Sequence, residues 1–292
     1  RYLRNLLIPQ MLSERRYRNE TVVLVIDVRW CHDCNNCFMS CKDEHVDNEW
    51  PGYTNAQPRH GHRWMNIQRR ERGRYARNDY SYLPMPCQHC ENCPLVDAGY
   101  ATRREDGIVL IDMAAAKGKE DAVAMCPYGA VYYNEEACEP QKCTMCAHLL
   151  DDPDWVPGIP RCAHSCPTKA LKAYHMEPEE MEVMIKTEGL EVYRPELGTN
   201  PHVFYKNLYR FTKNFAAGGI LVDGDCYEDA TVELKKDGEL VEVQKTNFFG
   251  DYKFDGLDDG KYTISIEAAG KTKDLEIEIA GKSLNLDYIE MN

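Results

Sequence analysis

No stretch of this chain holds the roughly 20 consecutive apolar residues that a membrane-spanning helix needs. The longest candidate, Thr21-Val22-Val23-Leu24-Val25-Ile26, is only the length of a strand. Positive charge is also short. Against 48 Asp and Glu stand 35 Lys and Arg, a net of −13 that makes nucleic acid an unsuitable partner. Residues 1–20 are arginine-rich and contain Leu6-Leu7-Ile8, but they lack the continuous apolar core and small-residue cleavage site of a secretory signal. No nucleophile and base pair into a catalytic motif, so the chain is assigned no catalytic residue of its own.

Cysteine is abundant, with 14 residues, 12 of them in four runs. Cys31, Cys34, Cys37 and Cys41 form Cys-x2-Cys-x2-Cys-x3-Cys, the spacing by which bacterial ferredoxins hold cubane iron–sulfur clusters. Displaced by 85 positions, Ala116, Lys119, Ala122 and Cys126 keep that spacing with only the last cysteine present. Val25-Ile26-Asp27 precedes the first run as Leu110-Ile111-Asp112 precedes the second, which marks an internal repeat with one site emptied. Cys87, Cys90 and Cys93 form another run, and Cys143, Cys146, Cys162 and Cys166 the last.

In two-cluster ferredoxins the fourth cysteine of a run ligates the partner run's cluster. Only one pairing then leaves every site complete. Group A is Cys31, Cys34, Cys37 and Cys166; group B is Cys87, Cys90, Cys93 and Cys126; group C is Cys143, Cys146, Cys162 and Cys41. The spacing thus predicts three [4Fe-4S] clusters, a four-cluster wire with the emptied run's cluster deleted, its fourth cysteine near Asp97 being absent too. Structural zinc is built from two Cys-x2-Cys pairs and does not suit triplets joined to a remote Cys-Pro. A secreted disulfide framework does not set cysteines two apart in triplets, and reduced metal-binding thiols suit the cytoplasm. Glu44 and Lys169 stand where a radical enzyme of the Cys-x3-Cys-x2-Cys type needs its third cysteine. Cys138, Cys143 and Cys146 match a plant-type [2Fe-2S] spacing, but that would strand Cys162 and Cys166. Cys138 and Cys226 are expected to be small buried hydrophobes. His89, His148 and His164, beside ligand cysteines, are expected to donate hydrogen bonds that tune the clusters.

Around these runs the pattern is that of a ferredoxin-like domain over residues 21–189, with residues 1–20 as an N-terminal extension. Pro127 and Pro167 turn the chain into extended segments at Ala130-Val131-Tyr132-Tyr133 and Ala170-Leu171-Lys172-Ala173-Tyr174. Glu177-Pro178-Glu179-Glu180 opens a helix that stops at Gly189. The insertion over residues 50–80, with its aromatics and Arg69-Arg70-Glu71-Arg72-Gly73-Arg74, is a candidate face for a partner protein. Residues 190–215 read as an aromatic connector. Beyond it the apolar period becomes two, with turns at Asp237-Gly238, Asp255-Gly256 and Asp259-Gly260, so residues 216–292 read as a small antiparallel β-sandwich or barrel of about seven strands. That part carries 18 acidic and 8 basic side chains, which read as solvated turns and faces and match no calcium loop. The fold class is α+β, a multi-cluster ferredoxin domain followed by an all-β domain.

Several stretches carry a resemblance: Asp33-Cys34-Asn35-Asn36-Cys37-Phe38-Met39, Asn48-Glu49-Trp50-Pro51-Gly52-Tyr53, the run from Lys142 through Cys143, Cys146 and His148 to Asp152, and Asn247-Phe248-Phe249-Gly250. With the emptied third run, they resemble the small iron–sulfur subunits of pyrogallol–phloroglucinol transhydroxylases, within the dimethyl-sulfoxide-reductase type of molybdopterin enzymes. The resemblance implies an electron-transfer subunit with three [4Fe-4S] clusters and a transthyretin-like β domain. It also implies a heterodimer with a large catalytic subunit carrying bis-molybdopterin guanine dinucleotide, acting in anaerobic aromatic degradation. Relatives of other activity, a resorcinol-type hydroxylase or a respiratory oxidoreductase for an inorganic substrate, are the alternatives. In the family the second run has a wider gap before its third cysteine, and Leu95 stands about where that ligand is usual, so Cys93 departs from the pattern.

Overall fold

A computed structural model describes residues 20–292, so the expected extension over residues 1–20 lies outside the described residues except for Glu20. The chain divides into two compact units. One ends at Gln68 and resumes over Tyr82–Leu208; the other takes Arg69–Ser81 and Tyr209–Asn292. Among the described residues no helix is long and apolar enough to cross a membrane.

The first nine strands are β1 (Thr21–Asp27), β2 (Asn66–Arg74), β3 (Arg77–Met85), β4 (Ala101–Arg103), β5 (Val109–Ile111), β6 (Val131–Asn134), β7 (Glu139–Lys142), β8 (Leu171–Met176) and β9 (Val203–Lys206). β1 is the centre of a three-stranded sheet, antiparallel to β8 and parallel to β9. A strand flanked on both sides and covered on both faces is apolar almost throughout, which is why its β-branched residues do not alternate with polar ones. The helix Pro178–Glu188 follows β8. Its capping box between Glu177 and Glu180, Pro178 in the first turn and left-handed Gly189 at the end set both limits. Met181, Met184 and Ile185 pack against Val23, Leu190 and Phe204.

The internal repeat is visible in local geometry. A short helix precedes Cys126-Pro127 and β6, and another precedes Cys166-Pro167 and β8. Asp27 accepts the backbone N–H of Arg29 at 3.0 Å, and Asp112 accepts those of Ala114 and Ala115 at 3.0 Å, so each copy turns from its strand into its run through a carboxylate.

The second unit contains β10 (Asn214–Val222), β11 (Asp225–Cys226), β12 (Thr231–Lys236), β13 (Glu239–Lys245), β14 (Asp251–Leu257), β15 (Gly260–Ala268), β16 (Lys271–Ile279) and β17 (Leu284–Glu290). One sheet has β10 between β11 and β14, with β17 also pairing to β10; the other runs β13-β12-β15-β16. Inward residues of both sheets, among them Ile220, Val232, Leu234, Phe254, Ile264, Ile266 and Ile289, meet in one core, as in a sandwich. The β10–β17 pair is parallel, so the sheets are not wholly antiparallel as the sequence suggested.

Two expectations change here. The supposed connector is split: β9 is laid into the first unit beside β1, and the second unit begins at Tyr209. The arginine-rich segment is not a free face. It is the distal part of the β2–β3 hairpin, counted with the second unit, and its cations are spent there. Arg72, fully buried, pairs with Asp79 and with Asp255 at 2.7 Å. Lys253 reaches Asp79 at 2.7 Å and Arg210 reaches it at 3.2 Å, while Arg77 pairs with Asp251. Arg70 donates to Asn214 Oδ1 at 2.8 Å. Gly73, at φ +80°, leaves room where a Cβ would come within 2.6 Å of the Phe215 ring.

Burial would raise the carboxyls of Asp79 and Asp255, but hydrogen bonds and charge from Lys253 and Arg72 overcome it and hold both below the ordinary carboxylate range. Their stabilisation is complete above that range and is lost as pH falls through the lowered values. Arg72→Ala is expected to destabilise the second unit by about 3–5 kcal/mol, because it strands buried carboxylates. Arg74→Ala, which removes a pair to Asp287 that is 64% and 65% exposed, should cost at most about 1 kcal/mol. Denaturation midpoints of the two variants check this; equal losses would contradict the buried network.

Candidate iron–sulfur sites

Two helices explain how cysteines from distant runs meet. The helix Asn36–His45 carries Cys37 and, one turn later, Cys41. The helix Arg161–His164 carries Cys162, with Cys166 one turn further. The helices are joined by a 2.7 Å hydrogen bond between the Ser40 and Ser165 hydroxyls. Each therefore delivers one sulfur to each of two places. Cys31, Cys34, Cys37 and Cys166 line a single cavity with Ile67 and Thr168. Cys41 lies chiefly in the field of Cys143 and Cys146, and Cys162 in that of Cys146, Cys143 and Cys41, with a smaller influence of Cys37 on both.

The remaining run gathers in the same way. Cys90 lies in the field of Cys87, Cys93 and Cys126, and Cys126 in that of Cys87 and Cys93. Leu95, Val109, Ala122 and Val131 wall this group, and Cys93 stays within it by opening the short helix Pro94–Asp97. The emptied run is packed rather than open: Ala116 and Ala122 are fully buried, and the Lys119 ammonium lies 5.6 Å from the Tyr100 ring centre. The structure thus brings together groups A, B and C. Group C adjoins both of the others, since Cys37 acts on Cys162 and Cys87 acts on Cys143.

Burial dominates the chemistry of these thiols. It pushes Cys37 and Cys90 up to about 12 and Cys31 and Cys143 up to about 11, and it raises Cys41, Cys146 and Cys162 as well. Four thiolates gathered below the surface repel one another and need a cation, and an iron–sulfur core is one that thiolates ligate. Among the described residues no three His, Cys, Asp or Glu side chains converge as ligands of one ion do. A cubane takes each thiolate on a different iron. The donor set of four cysteines per group fits it.

Hydrogen bonds to sulfur come mainly from the backbone. Asp33 donates to Cys31, Phe38 to Cys37, Tyr128 and Ala130 to Cys126, and Met145 to Cys143 at 3.3 Å. Residues in the left-handed region, Asp33 and Asn35 in one loop and Met145 and Cys146 in another, turn these N–H groups inward. The Thr199 hydroxyl bonds Cys90, a contact across more than 100 positions that no local pattern announces. The three histidines also touch protein groups, while His89 Nε2 and His148 Nδ1 stay buried without a protein partner among the described residues. His89 Nδ1 accepts the Val109 N–H at 3.1 Å, His148 bonds Glu44 at 3.0 Å and stacks on Trp50 at 4.0 Å, and His164 meets the Trp155 edge. Cys138 and Cys226 are exposed, not buried as expected, and neither joins a group.

Residues 78–176 match the family described as a 4Fe-4S dicluster domain. The chain is similar to the pyrogallol hydroxytransferase small subunit of Pelobacter acidigallici, with 56% identity covering 93% of this chain and 100% of that one. It is 30% identical to the beta chain of the dimethylsulfide dehydrogenase of Rhodovulum sulfidophilum, over 81% of this chain and 68% of the other. A tetrathionate reductase subunit of Salmonella typhimurium is 34% identical over 63% of this chain and 72% of its own. Among solved structures, 5-hydroxyisourate hydrolase of Klebsiella pneumoniae covers 27% of the chain and 91% of its own length at 20% identity with a TM-score of 0.24, too low to assign a fold.

Burial, with the neighbouring His148, lowers the imidazole of His45 to about 3. Its stabilising effect is complete above its ordinary value of about 6.5 and is lost as pH falls toward 3. At pH 5 the loss from this side chain is roughly 2 kcal/mol. The stability of His45→Phe should therefore fall less than that of the native chain between pH 7 and 5, measured by denaturant titration; parallel curves would contradict a neutral His45.

Proposed function

The chain belongs to the family of the pyrogallol hydroxytransferase small subunit, and from that premise we propose that it relays electrons in a molybdopterin enzyme that moves hydroxyl groups between polyhydroxylated benzenes, such as pyrogallol and phloroglucinol. The observation that carries the reading is that 56% identity spans the whole of that relative, and the mutual nearness of cysteines from distant runs supports three groups of four. In this reading Cys31, Cys34, Cys37 and Cys166 hold one [4Fe-4S] cluster, Cys87, Cys90, Cys93 and Cys126 a second, and Cys143, Cys146, Cys162 and Cys41 a third. When bound, the clusters supply one-electron carriers. The chain supplies the rest: it buries the sulfurs, directs N–H groups at them and keeps group C between A and B.

Every cysteine position of each group is filled, so no open coordination site faces a phenol. The chain itself then catalyses nothing. Catalysis belongs to a larger partner, as the relative's designation as a small subunit implies, and we assign the bis-molybdopterin guanine dinucleotide to that partner in a heterodimer. The second unit is read as the transthyretin-like domain of the family, and the setting as cytoplasmic, where thiols stay reduced.

Purified with its partner, the chain is expected to hold about twelve iron and twelve sulfide, four of each per cubane. Trihydroxybenzenes should be turned over only by the pair. About sixteen iron, or stoichiometric zinc, would contradict the ligand sets, and turnover by the isolated molybdenum-free chain would contradict the division of labour. Ligand exchange is tested separately: Cys41→Ser should disturb the cluster of Cys143, Cys146 and Cys162, and Cys166→Ser that of Cys31, Cys34 and Cys37, each read by electron paramagnetic resonance. A Cys41→Ser effect confined to the Cys31 cluster would refute the exchange.

A further inference from the structure

Lysine is seldom fully buried unless paired. Lys142, the last residue of β7, is 3% exposed, and among the described residues no carboxylate lies within ion-pair distance of it. Its ammonium is held by main-chain carbonyls instead, those of Val109 and, at 3.2 Å, Cys143. Val109 belongs to the wall around Cys90 and Cys93, and Cys143 belongs to group C. These groups abut there: the Cys87 N–H donates to the Cys143 sulfur, and the Cys87 charge is the strongest charge acting on Cys143.

We propose that Lys142 is the fixed counter-charge of the junction between groups B and C, and that it raises the reduction potentials of the two clusters meeting there. This rests on the three-cluster reading. A buried ammonium without a carboxylate is costly, and the anionic clusters on either side are what offset it. Conversely, a cation held close in a medium of low dielectric favours the more negative, reduced state of each cluster. At Cys146 the charges of Glu44 and Arg161 oppose each other, and Lys42, which acts on Cys41, is only partly buried with its ammonium on the Pro58 carbonyl. Among the described residues, Arg103 also rests on main-chain carbonyls beside Cys90 but is only partly buried, whereas Lys142 is both deeply buried and unopposed.

The test is a redox titration, followed by electron paramagnetic resonance, of the complete complex carrying Lys142→Met, Lys142→Gln or Lys142→Arg. In the Met and Gln variants the reduced-to-oxidised ratio of two clusters should fall about tenfold at fixed potential, a shift of about 59 mV for one electron. The third cluster should not move, and Arg should stay near the native values. The two shifted signals are identified as those altered by Cys126→Ser and by Cys41→Ser. Three intact clusters at native potentials in Lys142→Met, or an equal shift of all three, would overturn the proposal while leaving the three-cluster reading in place. If Met and Gln both lose iron while Arg keeps a full set, the need for charge is upheld; if Arg loses it too, the role is packing and the proposal fails. Fewer than three clusters in the native complex would overturn the underlying reading instead.

Discussion

Thiolates gathered in fours below the surface cannot keep their charge there without a cation at the centre of each group. All the cysteines except Cys138 and Cys226 belong to such groups, Cys34 at the exposed edge of its own, and burial raises the thiols for which a shift is resolved. Much of the first unit answers to this constraint. Most of its helices are single turns beside ligand cysteines, and its loops enter the left-handed region to aim N–H groups. The apolar core around Cys90 and Cys93 is built from Leu95, Val109 and Val131 packed onto the sulfurs themselves. Such a domain couples folding to cluster binding, since the bound core replaces apolar volume and cancels repulsion.

The reciprocal exchange of cysteines has a geometric cause. A four-residue spacing is about one helical turn, so Cys37 and Cys41 project from the same side of one helix, displaced along its axis, and Cys162 and Cys166 are offset alike on the other. The Ser40–Ser165 hydrogen bond fixes the two in register. The second unit meets a different constraint. Its hairpin segment brings Arg70, Arg72 and Arg77 among Asp79, Asp251, Asp255 and Asn214, so part of the local surplus of acid found in the sequence is offset from elsewhere in the chain.

What could be read from the sequence was whatever is encoded within about ten residues. The cysteine spacings, the emptied repeat, the helix begun by Pro178 and ended by Gly189, and the alternating strands β12, β13, β15 and β16 are all of this kind. The grouping of distant sulfurs was argued from ligand number, which limits the pairings. The parallel pairs β1–β9 and β10–β17 join segments far apart and leave no periodic trace. The arginine run looked like an external face because charge in a sequence does not say where its partner is; only the fold sets Arg72 against Asp255. Thr199 and Lys142 act on the sulfur groups for the same reason without belonging to any motif.

Anomalous diffraction at the iron edge from crystals of the purified complex tests the account most directly. The account predicts three four-iron peaks in this chain, with the one among Cys41, Cys143, Cys146 and Cys162 between the other two. A fourth peak beside Ala116 and Ala122, or Cys41 and Cys166 bound to the clusters of their own runs, would contradict it.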